Sequence, residues 1–584
     1  MPISPAPAAP SPKPPAPPAG FGRWFAPVAL VLALLPALAF WWWQGRPVAI
    51  ADAPLPRVPC LSYAPYQGAQ TPFDEGLVIP PEQIDRDLAR LAAFTSCVRT
   101  YSTDQGLAEV PRLAEAHGLT VMLGAWIGRE REKNEKELAA AIDLARRHPQ
   151  TVAAVIVGNE VLLRREQPAD ALTAMIARVR AAVPVPVTYA DVWEFWEQHP
   201  QVADAVDFVT IHTLPYWEDE PRPIDRAIPH VLAVWRAMAA RFAGKRVFIG
   251  EAGWPSAGRM REGALPSRLN QARFVRELMV AADREDIGLN LIEAFDQPWK
   301  RASEGTVGGH WGMFDGDRRQ KFALTGPVSN EPQWHWRFAT TGAIALLLLA
   351  PLLIGSARRL SAGRWLGSGL IAAAAATLLT LGGSAGLDAS RTVWDWAVFG
   401  LRTGVAAAAA ALLLDTLGSP VPRPVPLIAL LQSARSGRLP AAPWRAVAWG
   451  LIGGLTLFGA AATTLCLVFD PRYRDFVGAL YAVPALALLA LVLARRRIRP
   501  SGTPQPADED RREERLLAVV LAVGGIAVAV NEGLANHQAL AWTIVCLLLA
   551  VGAWVRPRAA AGQSGARSRA SAPSKAPAAA GSGR

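Results

Sequence analysis

Motifs for metal, cofactor or nucleic-acid chemistry are scarce in this 584-residue chain. His212 has no ligand-spaced partner, which argues against a metal centre, and we expect no cofactor. No basic stretch interleaved with aromatics forms a groove motif, so the formal charge of +11 does not read as nucleic-acid binding. Only four cysteines are present. Cys466 and Cys546 fall inside apolar runs and read as small apolar fillers, which leaves Cys60 and Cys97 as the pair of interest.

Apolar residues are abundant, at 51% of the chain, and they are unevenly placed. Residues 52–333 read as globular. Phe25–Trp43 and most of 338–555 are runs of Ala, Leu, Val and Gly long enough to cross about 30 Å of hydrocarbon at roughly 20 residues each. Spans are expected at 25–43, 338–355, 366–383, 396–415, 446–468, 476–494, 516–531 and 538–555. The Pro/Ala-rich segment 1–24 and the basic tail 556–584 cannot bury enough surface to fold. Arginines gather in alternate connections, at 358–364, 423–445 and 495–499, which places those connections in the cytoplasm and residues 52–333 outside it. Trp41, Trp42, Trp43, Trp334 and Trp336 then fall at the outer interface. The first span could serve as a cleaved signal, since "AIA" at 49–51 offers small residues, but its length and three terminal tryptophans favour an uncleaved anchor. Arg402 and Asp415 are either functional charges in a span or snorkel to opposite interfaces.

Between 52 and 333 a short apolar strand, a polar loop and an amphipathic helix alternate. Strands are expected at 60–66, 97–102, 120–127, 152–160, 185–191, 206–213, 246–254 and 289–299. Eight β/α units in about 280 residues match a (β/α)₈ TIM barrel. The predicted fold is therefore an α/β barrel followed by an α-helical multi-span membrane domain. Cys60 and Cys97 start neighbouring strands, where a disulfide is geometrically feasible in an oxidising compartment.

Nearly every strand ends in polar or aromatic residues, and the barrel fold concentrates chemistry at those ends. Glu160 closes the fourth strand in "VIVGNEVLL", and Glu251 closes the seventh in "VFIGEAGWPS". A buried carboxylate is costly unless it is paired or used. Two of them across a barrel mouth are the minimum set for glycosidic bond cleavage, one as proton donor and one meeting the oxocarbenium ion. These stretches, with "VRTYS" and "EAFDQPWK", resemble glycoside hydrolase family 17, the β-1,3-glucanase and glucanosyltransferase family, over about 60–325, in a bacterial membrane-anchored form.

The resemblance implies Glu160 as acid/base, Glu251 as nucleophile and Asn159 as a donor to the sugar 2-hydroxyl. It places Asp191, His212, Tyr216, Trp254, Asp296, Trp299 and Lys300 in the sugar subsites. Trp193, Trp196, Trp217 and Trp311 either stack on sugars or pack. Glu293 is either a barrel-interior partner for Arg99 or a catalytic group. The expected substrate is a β-glucan polysaccharide or oligosaccharide, handled outside the cytoplasm at a bacterial inner membrane. Lipid surrounds the helices, and a glucan synthase is a candidate partner. The competing reading is a glucan-binding or export module with little hydrolysis of its own.

Overall fold

The computed structural model describes residues 22–354, 360–417, 421–438, 440–497 and 511–554. The expected tails, together with Arg358, Arg359 and Arg499, lie outside the described residues apart from 22–24 of the first.

Eight parallel strands close a barrel in chain order: β1 (Leu61–Ser62), β2 (Cys97–Arg99), β3 (Thr120–Ala125), β4 (Val152–Asn159), β5 (Val187–Val192), β6 (Val209–His212), β7 (Val247–Ala252) and β8 (Gly288–Leu291). Apart from Thr120 at the start of β3 and Val192 at the end of β5, their β-branched residues are buried on both faces, as parallel strands under helices require. The outer helices pack by one stripe. Ile84, Leu88 and Leu91 are buried on Pro81–Leu91, and Phe274, Val275, Leu278, Met279 and Ala282 on Arg268–Glu285, whose first turn is capped by Ser267 accepting from the Asn270 amide. Each such aliphatic side chain contributes roughly 1.5–3 kcal/mol over leaving it in water. A disulfide joins Cys60, just before β1, to Cys97 at the start of β2.

The observed strands are shorter than expected, most of all at the ends that carry function. β8 stops at Leu291, so Glu293 lies just beyond the strand rather than within it. Strand register also shifts between β6 and β7, where Ile211 faces Ile249 but His212 faces Glu251.

Seven helices among the described residues are long and apolar enough to cross a membrane: Pro27–Gly45, Trp334–Ile354, Ala362–Ala389, Val393–Thr416, Trp444–Phe469, Gly478–Arg495 and His537–Trp554. The expected span 516–531 lies in the helix Arg512–Glu532, which opens on Arg512, Glu513, Glu514 and Arg515 and is not among the seven. The first helix packs in the bundle, with Trp41 Nε1 donating to Thr341 at 2.9 Å. Arg402 reaches Thr463 at 3.2 Å and the Tyr481 ring. Asp415 pairs with Arg445 at 2.8 Å. The barrel meets this bundle through the loops that follow β6, β7 and β8.

Candidate active site

Glu251 is the penultimate residue of β7 and is 5% exposed. Gly250 before it is required by close approach, because a Cβ there would sit 2.4 Å from Thr210 Cγ2. Its carbonyl accepts from Arg99 Nη1 at 2.8 Å. The same guanidinium nitrogen reaches Glu251 Oε1 at 3.0 Å, and Tyr101 donates to that oxygen at 2.9 Å. Arg99 also donates through Nη2 to Asn159 Oδ1 at 2.5 Å. A buried arginine thus ties the end of β4 to the end of β7 across the barrel, and its fork geometry lets one side chain serve both.

Glu160 directly follows β4 in the left-handed region, with φ +52°, after Gly158 at φ +87°. Such a backbone costs a non-glycine residue about 1–2 kcal/mol. It is held by the Glu160 amide on the Ala190 carbonyl at 2.8 Å. The strain turns the carboxylate into the mouth, where Oε1 meets His212 Nδ1 at 2.9 Å and Arg164 lies 3.7 Å away. Burial favours the neutral acid, but the bond and charge of His212, with Arg164 and Arg99, outweigh it and hold Glu160 below the ordinary glutamate value. His212 is fully buried between the two glutamates, its Nε2 being 3.7 Å from Glu251. Ligand atoms of Glu160, His212 and Glu251 lie within 4.8 Å of one another. That spacing would suit a cation, yet the Arg99 guanidinium already stands 3.4 Å from His212 Nε2 and 3.0 Å from Glu251. The guanidinium thus sets a fixed positive charge against Glu251 and His212.

Around this pair the expected site residues divide. Lys300 and Trp299 are partly accessible beside the mouth, Trp299 packing edge-on with Tyr66 and Phe73. Glu293 pairs with Lys300 at 2.8 Å, not with Arg99. Burial pushes Glu293 up to about 7 against the pull of Lys300, and leaves its Oε1 without a partner. Asp296 is held by Lys321 at 2.6 Å, by His310 and by the Gly312 amide.

Four expected sugar contacts are fully buried, His212 between the glutamates and three more behind the site. Asp191 is fully buried and accepts from Tyr189 and the Val192 amide; burial pushes it up to about 6. Tyr216 is fully buried and donates to the Arg259 carbonyl at 2.6 Å. Trp254 is fully buried, packs on Phe274 and donates to the Leu265 carbonyl at 3.0 Å. They shape the site from behind. Trp196 and Trp311 are core residues, while Trp193 and Trp217 stay half-buried.

The model of the BtgE/BtgC glycoside hydrolase domain matches residues 60–312. A glucan 1,3-beta-glucosidase of Schizosaccharomyces pombe is 30% identical over 254 residues, covering 41% of this chain and 79% of that protein. The chain belongs to this glycoside hydrolase family. A second glucan 1,3-beta-glucosidase, from Saccharomyces cerevisiae, is 26% identical over 278 residues, covering 43% of this chain and 87% of its own. A solved active-site mutant of the Rhizomucor miehei beta-1,3-glucanosyltransferase, in complex with laminaritriose, is 26% identical with a TM-score of 0.41, covering 46% of this chain and 98% of that one.

Sequence reasoning did not assign several members of this glycosidase site. Arg99 and Tyr101 sit in "VRTYS" and hold Glu251, Arg164 follows Glu160 by four positions in a turn, and Lys321 neutralises Asp296. The available signal was a buried basic residue on an inward strand position, which needs an acidic partner across the barrel. Trp126, at the end of β3, is 38% exposed with Arg164 4.4 Å above its ring.

Proposed function

We propose that the chain is a membrane-held retaining enzyme acting on β-1,3-glucan, with Glu251 as nucleophile and Glu160 as acid/base. The observation carrying this is that the two glutamates face each other across the mouth, each bringing one carboxylate oxygen to within 4.8 Å of the other's. Retaining pairs stand about 5–5.5 Å apart, whereas inverting pairs leave roughly 6.5–9.5 Å for a water. The named activities of the two yeast relatives supply the substrate class.

In the first step an oxygen of Glu251 attacks the anomeric carbon while Glu160 gives its proton to the departing glycosidic oxygen. Arg99 and Tyr101 both converge on Glu251 Oε1, which leaves Oε2 to form the bond. In the second step ionised Glu160 takes a proton from water or from a sugar hydroxyl, whose oxygen attacks the same carbon and releases Glu251. His212, Arg164 and Arg99 stabilise that carboxylate for the base role. Water yields hydrolysis and a sugar acceptor yields transfer.

The helices hold the barrel outside the cytoplasm of a bacterial cell. Support comes from the bundle itself: the helix Trp444–Phe469 begins beside Arg445, whereas the loop after it touches the barrel. Arg445 therefore stands at the end of the bundle away from the barrel, as the positive-inside bias requires. The test is to incubate the full-length protein in detergent with laminari-oligosaccharides and follow the anomeric configuration of the first product. A β-anomer is expected; an initial α-product would refute double displacement.

A further inference from the structure

Three successive strand-end loops of the barrel are joined to the outer ends of the helical bundle. After β7, Arg259 is 4% exposed, donates to the Arg474 carbonyl at 2.8 Å and pairs with Glu532. The Met260 amide donates to Gln538 at 2.9 Å, and Asn536 donates to the Met260 carbonyl at 3.0 Å. After β8, Thr306 donates to Asp475 at 2.6 Å. Gly305, at φ +70°, lies against the Tyr473 carbonyl so closely that a Cβ would be 2.5 Å from it. Glu304, the residue before that glycine, feels the charges of Glu160 and Glu251. The 470–476 loop therefore abuts the short helix Arg301–Gly308, which directly follows Trp299 and Lys300.

Most of these contacts are buried and act as fasteners, but two residues of the loop keep exposed surface: Tyr473, and Arg472, whose guanidinium donates to the Trp217 carbonyl at 3.3 Å and reaches Asp219 at 3.5 Å. Tyr473 remains 42% exposed, and its hydroxyl makes no hydrogen bond among the described residues. Its ring lies 5.8 Å from the half-buried Trp217, tilted by 53°, and the buried Tyr216 stacks on Trp217 at 5.6 Å and backs it from the barrel side. Arg472 and Arg261 sit 5.8 and 5.7 Å from the same Trp217 ring, and Arg472 is 46% exposed at its side chain. Arg261 is half-buried and donates to the Tyr216 carbonyl at 2.8 Å, so Arg472 is the exposed donor beside these rings. An aromatic face with such a donor at its edge suits a pyranose, whose C–H face stacks on a ring while its hydroxyls accept hydrogen bonds.

We propose that the helical domain completes the glucan cleft, with Tyr473 and Trp217 forming a sugar-binding platform across the domain boundary. This rests on the β-glucan reading above and adds a subsite that the barrel by itself does not contain. Short substrates confined to the catalytic pair do not reach it, and longer chains do.

The test uses the full-length protein in detergent micelles, with an aryl β-glucoside and laminari-oligosaccharides of increasing length. The quantity read is the ratio of kcat/KM for the longest oligosaccharide to that for the aryl glucoside. Tyr473→Ala should lower this ratio roughly 2- to 10-fold, the size of one aromatic contact. Tyr473→Phe keeps the ring and should hold the ratio near that of the unaltered protein. An unchanged ratio in Tyr473→Ala would overturn the proposal, whether activity is retained throughout or falls equally on every substrate, as for a residue that only anchors the loop or meets lipid. Absence of turnover by the unaltered protein on all of these substrates would be a different failure, that of the β-glucan reading, and the platform would fall with it.

Discussion

His212→Phe separates the two influences on Glu160, burial and the imidazole beside it. The histidine is fully buried and its Nδ1 lies 2.9 Å from Glu160 Oε1, so phenylalanine keeps a planar ring in the space while removing both the bond and the charge. A hydrogen bond to a charged group is worth about 1.5–3 kcal/mol. Its loss raises the pKa of Glu160, because burial then acts with less opposition. The sign follows from the role. As the acid, Glu160 must be protonated in the free enzyme, so kcat/KM falls as pH rises through its pKa. In the unaltered protein that limb lies on the acid side of the ordinary glutamate value, since His212, Arg164 and Arg99 outweigh burial. In His212→Phe it should move to higher pH. The assay is kcat/KM on a laminari-oligosaccharide between about pH 3 and 8. A limb that stays in place, or moves to lower pH, would refute the assignment of Glu160 as the acid held by His212.

Other substitutions probe the remaining parts of the site. Glu251→Ala should lose activity by at least about tenfold and, with azide, yield a glycosyl azide of inverted configuration. Glu160→Ala should fall steeply on glucan yet turn over an activated aryl glucoside, with azide giving net retention. Arg99→Met leaves Glu251 and Asn159 without their shared partner and should cost about 3–5 kcal/mol of stability as well as activity, read by thermal unfolding. Reducing Cys60–Cys97 opens a loop with a sequence separation of 37 residues and should cost up to roughly 4 kcal/mol, seen as earlier thermal inactivation. Protease added to intact spheroplasts should degrade the barrel; a protected barrel would reverse the topology.

Eight strands, their order and the two motif glutamates were legible because each rests on local information. Strand periodicity is a property of neighbours, and a carboxylate at the end of an apolar run is conspicuous wherever it stands. The fates of Tyr216 and Trp254 were not legible. Both follow strands and are large aromatics, but whether such a residue faces the mouth or the core depends on how its loop turns, and both loops turn inward, to the Arg259 and Leu265 carbonyls. Glu293 was misplaced because β8 ends at Leu291, two residues earlier, which takes it out of reach of a strand-alternation rule.

The amino-acid order alone determined that a barrel with two acidic strand ends is coupled to long apolar helices, since hydrophobic period and span length are one-dimensional quantities. Only the closed fold decided that Arg99 would serve Glu251 and Asn159 at once, that His212 would stand between the glutamates, and that Arg259 would find Glu532 some 273 positions away. Those pairings form between residues far apart in the chain, where a charge has many potential partners. Burial leaves only the partner that barrel closure and helix packing bring within hydrogen-bonding distance.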